Sequence, residues 1–269
     1  MRNILLRLAY DGTNYHGFQS QPEEHGRTIQ RELERAWKKL FAEEIKVVTA
    51  GRTDTGVHAA GQVINFRSEA RIPQEKIPKA MNSILAYDIR ILEARDVSAK
   101  FNARRNAKWK RYDYRIDNGR IPDVFTRLYS LHVPVPLNVE NMQIATSYLE
   151  GKHNFRAFAA AGSSAKSFVR TLYHCKVRQQ GEQILVTCIG DAFLYNMVRI
   201  IVGTLVYIGL GKILPEDIPE IIGSRDRTRA GKTASAGGLT LSLVNYDGSK
   251  PSEIFADIEE NHIEELLIY

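Results

Sequence analysis

An arginine and a carboxylate stand two residues apart in the stretch Gly51-Arg52-Thr53-Asp54-Thr55-Gly56-Val57-His58-Ala59-Ala60-Gly61-Gln62-Val63. A carboxylate can serve as a nucleophile or as a proton acceptor, and a neighbouring arginine can hold a phosphate or a second carboxylate. Glycine opens backbone conformations closed to other residues. A tight loop ahead of the apolar run that follows would therefore present Asp54 at the edge of a sheet. Taken alone, Asp54-Thr55-Gly56 reads equally well as a turn whose aspartate bonds its own backbone.

The tripeptide is also that of an aspartic protease, but such a protease needs two carboxylates sharing one proton. The chain has no second Asp-Thr-Gly or Asp-Ser-Gly. Arg199 lies inside the apolar run Phe193 to Leu205. Buried there, its charge would require a carboxylate partner; periodicity leaves it on an exposed side with equal weight. Asn196 and Gly203 share its face, so that face is not apolar. Tyr112 and Tyr114 point to one side of a strand, either as core residues or as a platform for bases. Around them stand Arg104, Arg105, Lys108, Trp109, Lys110 and Arg111, a mix of cations and aromatics suited to RNA. Gly231-Lys232-Thr233 lacks the earlier glycine and the preceding strand of a phosphate-binding loop and reads as a basic loop. The histidines show no metal-ligand spacing, and Cys175 and Cys188 form no zinc pattern.

The elements that must carry these residues follow from periodicity. Residues 4–10 read as a strand closed by Asp11-Gly12-Thr13. Thr28 is the predicted N-cap of a helix bearing Ile29, Leu33, Trp37, Leu40 and Phe41. A strand ends near Phe66, a helix runs from Pro73 to Leu85, and Ile89–Leu92 is a strand. The second half repeats the order: a strand at 111–116, a helix capped by Asn138, and strands at 173–178 and 183–189 joined around Gly181-Glu182. That turn sets Val177 opposite Val186 and Cys175 opposite Cys188. An apolar helix from Leu194 to Ile208 and a strand at 239–244 complete it. Each half reads strand–helix–strand–strand–helix–strand, the split βαβ plan of an α+β fold. The expected domains are 1–103 and 104–247, with an acidic tail or peripheral helix at 248–269.

The 269 residues suit about two domains at ~150 residues each. Apolar and charged fractions of 43% and 25% are those of a globular protein. A net charge of +6 and a pI near 9.2 favour a polyanionic partner, nucleic acid first. No signal-peptide core opens the chain, and its longest apolar run falls short of the about 20 residues a bilayer needs. The expectation is a cytoplasmic protein with reduced thiols and no membrane contact.

The stretch from Gly51 to Val63, followed by Phe66, resembles the signature of the TruA-type tRNA pseudouridine synthases. The likeness extends over nearly the whole chain: Tyr10-Asp11-Gly12-Thr13, Tyr15, Gly17-Phe18-Gln19 and Gln21-Pro22; Thr28-Ile29-Gln30 and Leu33-Glu34; Phe101 and Ala103-Arg104; Tyr112-Asp113-Tyr114; Gly151, His153, Phe155 and Phe158; Met197-Val198-Arg199 and Gly203-Thr204-Leu205; Thr233-Ala234 and Gly238-Leu239. It departs at Asn102 and Asn154, where His or Asp is usual, and at Ala86, where proline is usual. The resemblance implies two ferredoxin-like halves joined in one mostly antiparallel curved sheet, flanked by helices, with a central cleft. It places the catalytic aspartate at Asp54, the active-site tyrosine at Tyr112 and the arginine that pairs with the aspartate at Arg199. Arg52 resembles the residue that touches RNA beside a flipped base, and Lys110, Arg111 and Arg104 are further expected RNA contacts. It implies a homodimer with no cofactor and no metal, acting on uridines 38, 39 and 40 in the tRNA anticodon arm. The competing expectation is a catalytically inactive RNA-binding module of the same fold.

Overall fold

In the computed structural model, residues 1–21, 26–163 and 165–251 are described. Pro22 of the opening motif and most of the segment read as a tail, 248–269, lie outside them. The described residues divide into two compact units, Met1–Lys108 with Thr240–Tyr246, and Trp109–Leu239 with the few described residues from Asp247 on.

In the first unit, β1 (Arg2–Tyr10) buries Ile4, Leu6, Leu8 and Tyr10 at alternate positions, the period of a half-buried strand. Helix α1 (Ile29–Phe41) buries Ile29, Leu33, Ala36 and Trp37 along one stripe, and the Trp37 ring meets Phe66 edge-on at 4.7 Å. Thr28 occupies the N-cap position, but its side chain makes no capping bond and its buried Oγ1 has no partner among the described residues. Main-chain carbonyls take over: Gly17 accepts from the Ile29 N–H and Phe18 from the Gln30 N–H. The short β2 (Val48–Thr49) leads through the Asp54 loop to β3 (His58–Ser68). The helix expected from Pro73 to Leu85 is only α2 (Ile77–Asn82), after a 3-10 turn at Gln74–Lys76. Pro78 has no N–H to donate back along a longer helix. Strand β4 (Ile89–Val97) follows. The sheet order is β4-β1-β3, antiparallel, with β2 also on β3, the predicted split βαβ arrangement.

In the second unit, β5 (Trp109–Asp117) has the two-residue β6 (Leu131–His132) parallel beside it. Asn138 caps α3 (Val139–Leu149) as expected, its side chain accepting from the Asn141 N–H at 2.9 Å. Strands β7 (Gly151–Asn154), β8 (Val169–Gln180) and β9 (Gln183–Gly190) complete the antiparallel order β5-β9-β8-β7. The predicted register holds: Val177 faces Val186 and Cys175 faces Cys188, with the two free thiols 3.7 Å apart in the core. Helix α4 (Met197–Gly209) is buried along most of its length, starting three residues past the Leu194 expected. Helix α5 (Ile218–Ser224) follows.

The last strand, β10 (Leu239–Asn245), runs parallel to β3, pairing Thr240 with His58 and Leu241 with Ala59. Gly61 admits it: a Cβ there would stand 2.3 Å from the Ser242 carbonyl oxygen. The fold is α+β with mostly antiparallel pairing, and no helix among the described residues is long and apolar enough to cross a membrane.

The two caps should respond in opposite ways. Asn138→Ala removes a working cap and should cost about 1 kcal/mol in urea unfolding. Thr28→Val removes a buried hydroxyl with no partner and should be neutral or stabilising; a loss as large as that of Asn138→Ala would contradict the assignment of the α1 cap to main-chain carbonyls.

Candidate active site

The Asp54 loop is built by two sequence motifs pressed backbone to backbone. Gly12 lies so close to Val57 that a Cβ would stand 2.0 Å from the Val57 carbonyl oxygen. Gly17, at φ +86°, would place a Cβ 2.8 Å from the Thr53 carbonyl oxygen. Main-chain bonds fasten the pair: the Phe18 N–H donates to Thr53 O at 3.0 Å and the Gly56 N–H to Tyr15 O at 3.2 Å. The Gly12 N–H donates to His58 Nδ1 at 3.0 Å.

Within the loop, the Val57 N–H closes a turn onto the Asp54 carbonyl at 3.1 Å, and Gly56 takes the positive φ (+77°) that a type II turn requires at its third position. Thr53 is buried, and its hydroxyl is 2.8 Å from the Tyr10 hydroxyl at the end of β1. Burial pushes the Tyr10 hydroxyl up to about 12, with its bonds to Thr53 and Gln62 pulling the other way, so it stays protonated and can bridge. Gln62 donates to the Gly51 carbonyl at 2.8 Å. Residues on both sides of Asp54 are therefore fixed, while Asp54 is half-buried and Arg52 exposed. The sequence did not single out Tyr10 and Gln62 as supports; their place in the motifs was the available signal.

In the second unit, Arg199 lies on the first turn of α4. Its Nε donates to the Ala234 carbonyl at 2.8 Å and its Nη1 to Asn196 Oδ1 at 2.8 Å. The Ala234 N–H returns a bond to the Arg199 carbonyl at 3.0 Å. Gly203, one turn on, makes this possible: a Cβ there would fall 1.6 Å from the Lys232 carbonyl oxygen. The loop read as merely basic, 231–233, is thus packed against α4, with the Gly231 N–H bonded to Thr204 Oγ1.

Tyr112 lies on β5, 7% exposed, with Phe193 edge-on at 5.0 Å. Tyr114, beside it on the same face, is a core residue. Its hydroxyl donates to the Ser235 carbonyl, and burial pushes that hydroxyl up to about 12. Arg111 faces the other way. It is 6% exposed, paired at 2.9 Å with Asp113, which also accepts from the Thr187 hydroxyl at 2.6 Å. Arg104 is exposed and Lys110 half-buried. Arg52, Asp54 and Arg104 belong to the first unit; Lys110, Arg111, Tyr112 and Arg199 belong to the second.

A tRNA pseudouridine synthase family profile matches residues 8–104 and 145–247, and the chain belongs to that family. Asp54, Arg52, Arg104 and Arg199 fall inside the matched segments; Lys110, Arg111 and Tyr112 fall between them. Among its relatives are proteins named tRNA pseudouridine synthase A. That of Moorella thermoacetica is 53% identical over 90% of this chain and 99% of its own. Those of Thermoanaerobacter sp. (strain X514) and Acetivibrio thermocellus are each 48% identical over 91% of this chain and 100% of their own.

Gly12→Ala tests the lock. The clash is with main chain, so the loop must move, and the variant should lose at least ~2 kcal/mol of stability and most of its turnover on tRNA. Gly223→Ala, which meets nothing within 4 Å, is the control. Equal unfolding midpoints and turnover for the two variants would remove the lock from the account.

Proposed function

We propose that this protein isomerises uridine to pseudouridine at positions 38, 39 and/or 40 of the tRNA anticodon stem-loop, acting as a cytoplasmic homodimer without a cofactor. The observation that carries the reading is the Arg52-Thr53-Asp54 loop, held on both sides by the opening motif in a chain of this family. The reaction breaks the N1–C1′ bond, turns the uracil and joins C5 to C1′. The C5 hydrogen leaves as a proton and N1 ends protonated, so no atom is gained or lost.

A base within a stem or loop must leave its stack first, at a cost of a few kcal/mol. Arg52 holds the displaced strand, and Tyr112 stacks on the uracil. Asp54 carries the reacting carboxylate. Arg199 supplies the cation that favours its charged form; bonds to the Ala234 carbonyl and Asn196 Oδ1 fix its guanidinium on α4. Arg104 and Lys110 meet phosphates, so binding weakens as salt rises. Arg111, with its charge engaged by Asp113, contributes to that field more than to a direct contact.

Carbodiimide mapping of a tRNA transcript after incubation with the protein should show new stops at 38, 39 or 40. Stops only elsewhere, or none with tRNA bound, would overturn the reading. Arg52→Ala should raise KM and lower the slope of log affinity against log salt by about one. An unchanged slope would remove Arg52 from the RNA contacts.

A further inference from the structure

Tyr87 is the most exposed of the large apolar and aromatic side chains among the described residues, at 96%. Exposure alone says little, since scattered apolar side chains are normal on a surface. What sets Tyr87 apart is what backs it and where it stands. The Arg90 guanidinium lies 4.6 Å from its ring centroid, and Arg90 Nη1 donates to the carbonyls of Ala86 at 2.8 Å and Ile89 at 2.7 Å. The cation is therefore tied to the main chain of the turn that carries the ring, and ring and charge form one preset unit.

That turn stands at the same sheet end as the Asp54 loop. The next residue, Asp88, accepts the Asp11 N–H at 2.9 Å on its carbonyl and the Tyr15 hydroxyl at 2.6 Å on its carboxylate. Tyr15 in turn accepts the Gly56 N–H, and Arg27, an exposed residue, donates to the Tyr15 hydroxyl at 3.1 Å. Strands β4 and β3 flank β1, so the start of β4 is about 10 Å from the start of β3, two inter-strand spacings. A nucleotide flanking a uridine held at Asp54 passes within reach.

We infer that Tyr87, backed by Arg90, is a stacking platform for a base of the RNA strand next to the modified uridine. Every base has a π-face, so such a platform tolerates sequence, while the fixed cation attracts the strand's phosphates. The inference rests on the reading of Asp54 as the reacting group, because that fixes which part of the RNA is near.

The test uses the full chain. Trp37 and Trp109 are buried, so Tyr87→Trp adds an exposed fluorophore. An anticodon stem-loop RNA should quench its emission, and heparin at equal charge should not. Tyr87→Ala and Tyr87→Leu should both raise KM for tRNA about 5- to 140-fold, the range that stacking of one base corresponds to. The loss should fall on KM rather than kcat, with an unchanged melting temperature, and Tyr87→Phe should restore it. An unquenched tryptophan with KM unaltered in Tyr87→Ala, or equal quenching by heparin, overturns the platform. If the wild type makes no pseudouridine while RNA still quenches Tyr87→Trp and Tyr87→Ala still binds weakly, the platform stands and the reading of the activity fails.

Discussion

At Gly12 and Val57 two stretches of backbone approach more closely than any side chain would allow, and much of the first unit serves that approach. The opening motif leaves β1, turns through Gly12 and Gly17, and enters α1 by way of the carbonyls that cap it. The signature loop enters β3 from the other side. Each loop satisfies main-chain groups of the other, and the His58 ring accepts the Gly12 N–H at the point of closest approach. Substituting either glycine moves a carbonyl, not merely a rotamer.

The same device recurs in the second unit. Gly203 lets the main chain at Lys232 reach α4, and the peptide of Ala234 then bonds both the side chain and the carbonyl of Arg199. A long cationic side chain is normally costly to fix in one rotamer. Here two hydrogen bonds, one of them to a main-chain carbonyl, offset that cost. In both units a residue proposed for the site sits beside a point of glycine-permitted backbone contact, which would suit a reaction needing groups held before the substrate arrives.

How much of this was legible in the chain depended on range. The register of β8 and β9 was readable because the two-residue connection at Gly181-Glu182 determines it locally. Asn138 was readable as a cap because its partner is three residues away. The cap of α1 was not, since its acceptors are brought in by the fold, and Thr28 merely occupies the expected position. Pro78 was visible, and weighing it would have shortened α2. Alternation placed Arg111 and Asp113 on one strand face, so their ion pair was available to a reading that took Arg111 as a surface cation instead. The pattern of repeated halves assigned the last strand to the second half; residues 240–246 group with the first unit, through a parallel pairing that no local pattern encodes. Asp54 itself stood out only through the long motif match. Its tripeptide alone described a turn, and a turn is indeed there.

The central claim is that the loop pair exists to hold the carboxylate of Asp54 at a uridine. Tritium release from tRNA carrying [5-³H]uridine reads it most directly, because joining C1′ to C5 expels that hydrogen. The account predicts release by the native protein and none by Asp54→Ala that melts at the native temperature and still binds tRNA. Equal release by the two proteins would contradict it, leaving the isomerase but taking the chemistry away from Asp54.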